Sequence, residues 1–270
     1  MKKTIVSLIS LIGAAGVSLA ANNFSYTATG SPGGTPDGQD QNGNPLNLWT
    51  VTATPGGLNG SGDGGADGSG VYFGNPDGSG GIGGSSVNSW QAYSYQNDGE
   101  ALGGSVNAVN NFSGGALSVG QTVSLNFVMR ALDPAANGHP AGEVGVSLLS
   151  GGGDAITFYI YGGGPGNYFY SDAGSTAANA GPLTYQYQNA FNLAFTVTGA
   201  NTYSAVAGSD QWSGTFDGSL TGIDVFNDAG GNGSDVGWNN LTVVPEPSTF
   251  ALLGLCGGSL IGFRRLWRRS

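Results

Sequence analysis

Apolar residues in this chain recur at every second position far more often than at helical spacing. Between residues 121 and 130, Val123, Leu125, Phe127 and Met129 share one face and mostly polar side chains share the other. Residues 143–149 repeat the pattern with Val144, Val146 and Leu148. Residues 155–161 repeat it with Ile156, Phe158 and Ile160, which leaves Tyr159 and Tyr161 on the opposite face. A period of two turns one face of an extended segment toward a core and the other toward solvent, so each segment is predicted to be a strand. Segments 46–54, 70–73, 89–95, 168–171, 183–188, 191–198, 202–207, 211–216, 222–226 and 236–243 are predicted to be strands as well, separated by Gly, Asn, Asp and Pro. Roughly a dozen short strands at this spacing predict an all-β fold, a two-sheet antiparallel β-sandwich of jelly-roll type. The Gly-, Asp- and Pro-rich region 31–84 is predicted to be dominated by loops and turns.

Both ends depart from the pattern. Lys2 and Lys3 precede an apolar stretch over 5–17 and then Ser18-Leu19-Ala20-Ala21. A charged start, an apolar helix and a small-x-small site make a signal peptide, with cleavage expected after Ala20 or Ala21. At the other end Pro245-Glu246-Pro247-Ser248-Thr249 leads into an uncharged apolar run over 250–263. Arg264, Arg265, Arg268 and Arg269 follow as a basic membrane stop. The prolines hold the first part extended, Ser248 or Thr249 can cap the helix, and the arginines favour a cytoplasmic C-terminus. The run is about 14 residues, against roughly 20 for a comfortable single transmembrane helix. Its shortness favours a tail held briefly in the inner membrane and then cut over a permanent anchor. Three parts are therefore expected: a signal helix over 1–21, a Gly-rich acidic sandwich over 22–243, and a sorting or anchor segment over 244–270.

Charge sharpens this picture. Of the 17 acidic residues only Glu246 lies in the tail, whereas of the 7 basic residues only Arg130 lies in the body. Such a surface repels phosphate, which argues against nucleic acid as a partner. Cys256 is the only cysteine and falls in the tail run, so the body has no disulfide and no catalytic thiol.

Catalytic and metal signals are sparse, and no catalytic residue or metal ligand is assigned. His139 is the only histidine and sits in a loop before Pro140. One histidine and no body cysteine cannot build a structural zinc site. Glycoside hydrolysis needs two carboxylates across a cleft, and Glu100 and Glu143 are the only glutamates in the body. Asp37, Asp40 and Asn42, Asp63 and Asp67, and Asp228, Asn232 and Asp235 leave Ca²⁺ open as a cofactor. None has EF-hand spacing, and Asp and Asn in Gly-rich turns usually serve the turn itself. Carbohydrate binding could use exposed rings, with Trp90, Trp212 and Trp238 as candidates. Trp49 and the tyrosine pairs 93/95, 159/161, 168/170 and 185/187 are candidates too, although rings at this spacing commonly pack as core or as cross-strand pairs.

Val244-Pro245-Glu246-Pro247-Ser248, the apolar run and the arginine cluster together resemble the PEP-CTERM sorting signal of Gram-negative bacteria. The resemblance implies Pro245, Glu246 and Pro247 as the sorting motif and an integral-membrane exosortase as the partner that removes the tail. It also implies an association with exopolysaccharide and biofilm. Phe195-Thr196-Val197-Thr198-Gly199, Trp212-Ser213-Gly214-Thr215-Phe216 and the segment 235–243 resemble concanavalin-like and laminin-G-like jelly rolls, in which the last strand returns beside the first. The expectation is an exported protein, anchored transiently in the inner membrane and then at the cell surface or outside the cell. Its role would be non-catalytic, structural or adhesive, with exopolysaccharide as a partner. A carbohydrate-binding module and a secreted glycosidase are the alternatives.

Overall fold

The computed structural model describes residues 24–26, 49–54, 68–74, 89–95, 105–131, 142–162, 166–184, 189–228 and 234–244. Within them the chain forms two antiparallel sheets. Sheet A runs β13 (Asp210–Thr215), β12 (Thr202–Ala207), β11 (Phe191–Gly199), β6 (Thr122–Ala131), β15 (Ser234–Val244), β4 (Ser89–Tyr95), β3 (Gly68–Gly74). A short first strand, β1 (Phe24–Tyr26), lies along the second half of β15, with Phe24 opposite Val243. The last strand thus pairs with the first, as the jelly-roll resemblance implied. Sheet B runs β10 (Ser175–Thr184), β9 (Asn167–Asp172), β8 (Gly153–Tyr161), β7 (Glu143–Ser150), β14 (Leu220–Asp228), β5 (Ser105–Asn111), β2 (Trp49–Thr54).

The period-two residues fill the space between the sheets. Val123, Leu125, Phe127 and Met129 from β6 are buried, as are Val144, Val146 and Leu148 from β7 and Ile156, Phe158 and Ile160 from β8. Face-to-face sheets bury the inner half of every strand in this way. Aromatic rings mark both ends of the core. Trp49 and Trp238 meet at 5.4 Å, while Phe158 stacks on Tyr168 at 4.9 Å. Two polar bonds also cross between the sheets. Asn227 Nδ2 of β14 donates to the Ala92 carbonyl of β4 at 3.1 Å. The Tyr203 hydroxyl of β12 donates to Asp172 Oδ2 of β9 at 2.8 Å. Burial and then the Asp172 carboxylate push the Tyr203 pKa well up.

Three departures from the expected strands have local causes. In β15 the inward residues Trp238 and Leu241 are three apart. The register against β6 shifts between Asn239 and Thr242, and Asn240 takes φ 55°. The extra residue is a bulge, made tolerable by Asn in the left-handed region. Of the strand expected over 183–188, residues 183 and 184 close β10 (Ser175–Thr184) and 185–188 lie outside the described residues; β10 starts earlier than expected, includes Gly181 and Pro182, and among the described strands pairs with β9. Proline is accepted there because an edge strand leaves one side of its backbone unpaired. β5 was not expected, because its inward set, Val106, Ala108 and Asn110, has a buried amide where an apolar residue would mark the period.

The expected terminal helices lie outside the described residues, with Ala20, Ala21, Pro245, Glu246, Pro247 and the four tail arginines. Among the described residues no helix is long and apolar enough to cross a membrane.

Candidate functional site

The outer face of sheet B carries three cross-strand rows. The pairing of β5, β14, β7, β8 and β9 puts Val109, Asp224, Ser147, Thr157 and Ser171 in one row. The next holds Asn107, Phe226, Gly145, Tyr159 and Phe169. The third holds Ser105, Asp228, Glu143 and Tyr161. Each of these alternates along its strand with residues of the core, so strand geometry alone turns it outward.

The middle row depends on a missing side chain. A Cβ at Gly145 would lie 2.7 Å from Tyr159 Cβ and 2.8 Å from Phe226 Cζ, and would press on the Phe158 carbonyl. Gly145 therefore lets the two rings flank one bare stretch of backbone. Tyr159 and Tyr161 also pack against Phe169, at 5.8 and 4.9 Å.

Around this platform the side chains are carboxylates. A cleft of about 380 Å³ is bordered by Asp224, Glu143, Asp228, Asp154, Tyr159 and Phe226. A second, of about 610 Å³, continues past Asp172 and Asp217 and shares Asp154, Thr157 and Ser171 with the first. Shared walls make the two one groove, running along β8.

Asp224 is its most constrained group. It is 7% exposed, and its Oδ1 has no hydrogen-bond partner. Burial, and then the Asp154 charge, push its pKa up to about 7, while a backbone hydrogen bond at Ala108 pulls the other way. Desolvation of a charged form is the expected leading cause when a carboxyl is this enclosed. Glu143 is also shifted upward, first by burial and then by Asp228 and Asp154. The Tyr159 phenol is raised by burial and then by Glu143. At the far end Asp172 is already engaged: it accepts from Tyr203 and, through Oδ1, from the Gly174 amide at 2.9 Å. Among the described residues no three His, Cys, Asp or Glu side chains converge as a metal site.

The tryptophans proposed as sugar platforms lie elsewhere. Trp90 and Trp238 are 1% and 0% exposed, inside the core. A ring enclosed on both sides cannot stack on a ligand, which corrects the expectation for these two. Trp212 is half-buried and stacks with Phe158 and Tyr170, each at 5.5 Å. Its ring serves the sheet interface rather than the groove. Glu143 is in the groove, and Asp228 stands opposite it. Glu100, His139, Asp37, Asp40, Asn42, Asp63, Asp67 and Asn232 lie outside the described residues. Sequence reasoning missed Asp224. The signal was present: a carboxylate set between Ile223 and Val225, in phase with Phe226 and Asp228, must either face out or be buried at a cost.

From the last two residues of β15 onward, the PEP-CTERM protein-sorting motif family matches residues 243–270. The chain carries a PEP-CTERM sorting signal. That signal implies export, a C-terminal membrane-anchoring region and processing by an exosortase-type enzyme. β15 ends at Val244, so the signal begins where sheet A ends. No curated protein matches the chain by sequence.

The sandwich is similar to an alginate lyase from Corynebacterium sp., at 13% identity and TM-score 0.43, over 58% of this chain and 76% of that one. It is similar to a Caenorhabditis elegans galectin at 12% identity and TM-score 0.37, over 50% and 89%. A further alginate lyase, of polysaccharide lyase family 7, aligns at 12% identity and TM-score 0.40, over 64% and 82%. At this level no residue role is transferred.

Proposed function

We propose that this is an exported envelope or extracellular protein whose PEP-CTERM tail delivers a non-catalytic, adhesive sandwich. The sandwich would contact polysaccharide of the extracellular matrix through the outer groove of sheet B. One observation carries the adhesive reading: a nearly buried carboxylate, Asp224, lines an open groove flanked by Tyr159 and Phe226, while its enclosed Oδ1 has no hydrogen-bond partner. A buried polar group without a partner costs about 1–3 kcal/mol, so a fold that keeps one at a surface groove gains from a ligand that satisfies it. Aromatic faces beside carboxylates and hydroxyls match what a sugar chain offers, apolar ring faces edged by hydroxyls.

Mass spectrometry of the protein from its native host tests the placement. Loss of residues up to Ala20 or Ala21, together with loss of the tail near Pro245, is expected. A product keeping its terminal arginines in the cytosol would overturn it. Co-sedimentation of the full-length protein with the host's matrix polysaccharide tests adhesion, and protein left wholly in the supernatant would sink it.

A second reading, a glycosidase, has its own observation. Glu143 and Asp228 are a directly opposed cross-strand pair, and Glu143 is shifted upward as a general acid would be. Asp224 is too far along β14 to take part with Asp228, about 13 Å at four residues of rise. Polysaccharide turnover that disappears in Glu143→Gln would favour this reading over the adhesive one.

A further inference from the structure

The groove walls have one sign of charge. Asp224, Glu143, Asp228, Asp154, Asp172 and Asp217 border it, and none of its lining residues is Lys or Arg. Arg130, the body's one basic residue, belongs to β6 in the other sheet. Like charges in a partly enclosed groove raise each other's energy: after burial, which leads the upward shifts of Asp224 and Glu143, come Asp154 for both and Asp228 for Glu143. A uronate or sulfated chain would add to that repulsion. A neutral chain would leave it in place. A ligand carrying ammonium groups relieves it and brings a donor to the Asp224 carboxyl group in the groove wall.

A bare divalent cation fits less well, because the described carboxylates do not converge on one point. A basic peptide would use the carboxylates but has no special match to two rings flanking a glycine. A pyranose face does, and Thr157 and Ser171 beside it offer hydroxyls to sugar hydroxyls. From Tyr159 to Gly153 the groove follows β8 for about 20 Å, room for several sugar units in a row.

We propose that the outer groove of sheet B binds an amino-sugar polymer with free, protonated amines, Asp224 accepting from one ammonium and Tyr159 and Phe226 supporting a sugar ring. This rests on the adhesive reading above and adds the charge of the ligand. An ammonium can also lie over the Tyr159 face, where the ring quadrupole attracts it.

Calorimetric titration of the full-length protein at pH 6, where most amines of the glucosamine hexamer are protonated, decides the matter. The probes are a β-1,4-linked glucosamine hexamer, its fully N-acetylated counterpart, a hexuronate oligomer and hexalysine. The free-amine hexamer is expected to bind at least tenfold tighter than each of the other three, and to weaken as salt screens the charges. Asp224→Asn is expected to weaken it at least tenfold, and Tyr159→Ala several-fold. Asp224→Asn removes a buried charge and should stay folded; should it not, Glu143→Gln and Tyr159→Ala carry the same comparison. Equal or tighter binding of the acetylated or uronate chain would overturn the cationic ligand and leave the adhesive reading standing. Hexalysine matching the glucosamine hexamer would overturn the sugar. Folded groove variants that bind as the parent does would overturn the site. No binding of any probe, with no co-sedimentation on matrix polysaccharide, would overturn both readings.

Discussion

On the outer face of sheet A, hydroxyl meets hydroxyl. Thr122 and Thr196 are 2.7 Å apart across β6 and β11, Ser124 and Thr242 are 2.8 Å apart across β6 and β15, and Asn192 reaches Asn126 at 3.4 Å. On the outer face of sheet B, Ser147 and Thr157 make a similar pair at 3.0 Å, but around them stand carboxylates, and the pKa values of Asp224 and Glu143 are raised first by burial and then by charged neighbours. Both faces use the same pleated backbone. One has its polar groups satisfied by neighbours in the sheet. The other holds a nearly buried carboxylate whose Oδ1 has no hydrogen-bond partner among the described residues. A surface at rest and a surface arranged for something outside it differ in this way, and only the second carries a functional reading.

The largest expected effect comes from Asp224. Its folded pKa is pushed up to about 7, whereas an unfolded Asp titrates near 4, so the native state holds the proton more tightly. Its contribution is complete below about pH 4 and is lost as pH rises through 7, on the order of 4 kcal/mol in all. Asp224→Asn is therefore expected to raise stability at pH 8, with little change at pH 4. Urea melts at the two pH values check this, and equal losses in parent and variant would erase the contrast between the faces.

Next is Tyr203→Phe, which removes the bond to Asp172 across the two sheets. A loss of about 1.5–3 kcal/mol by chemical denaturation is expected, as for hydrogen bonds to charged groups. Gly145→Ala should cost about 1–3 kcal/mol through overpacking against the Phe158 carbonyl, and should spread the Tyr159 and Phe226 rings. A melt unchanged by that extra methyl would show that the rings do not close on the glycine. Smallest is Thr196→Val on sheet A, expected within about 0.5 kcal/mol and silent in every binding assay. A larger effect on binding would move the functional face to the wrong sheet.

Particular residues show why some features were legible in sequence and others were not. β6 and β8 were read closely because their inward residues are large and apolar at strict alternation. The first part of β10, up to Gly181 and Pro182, was missed because an edge strand accepts residues that local rules treat as breakers. Trp90 and Trp238 look, in sequence, like any ring on an alternating strand. Their enclosure depends on Trp49 and the opposite sheet, which no local pattern reveals.

The sequence by itself determined the all-β class, most strands, the acidic body and the sorting signal, because periodicity, composition and a contiguous motif are properties of neighbouring residues. Only the tertiary structure decided that Asp154, Glu143, Asp224 and Asp228 share one groove, and that the tryptophans do not. Those carboxylates come from β8, β7 and β14, and β14 reaches β7 only through a pairing some 80 residues apart in the chain. Registers of that kind are set by which faces must be buried together, a choice made by the whole sandwich at once.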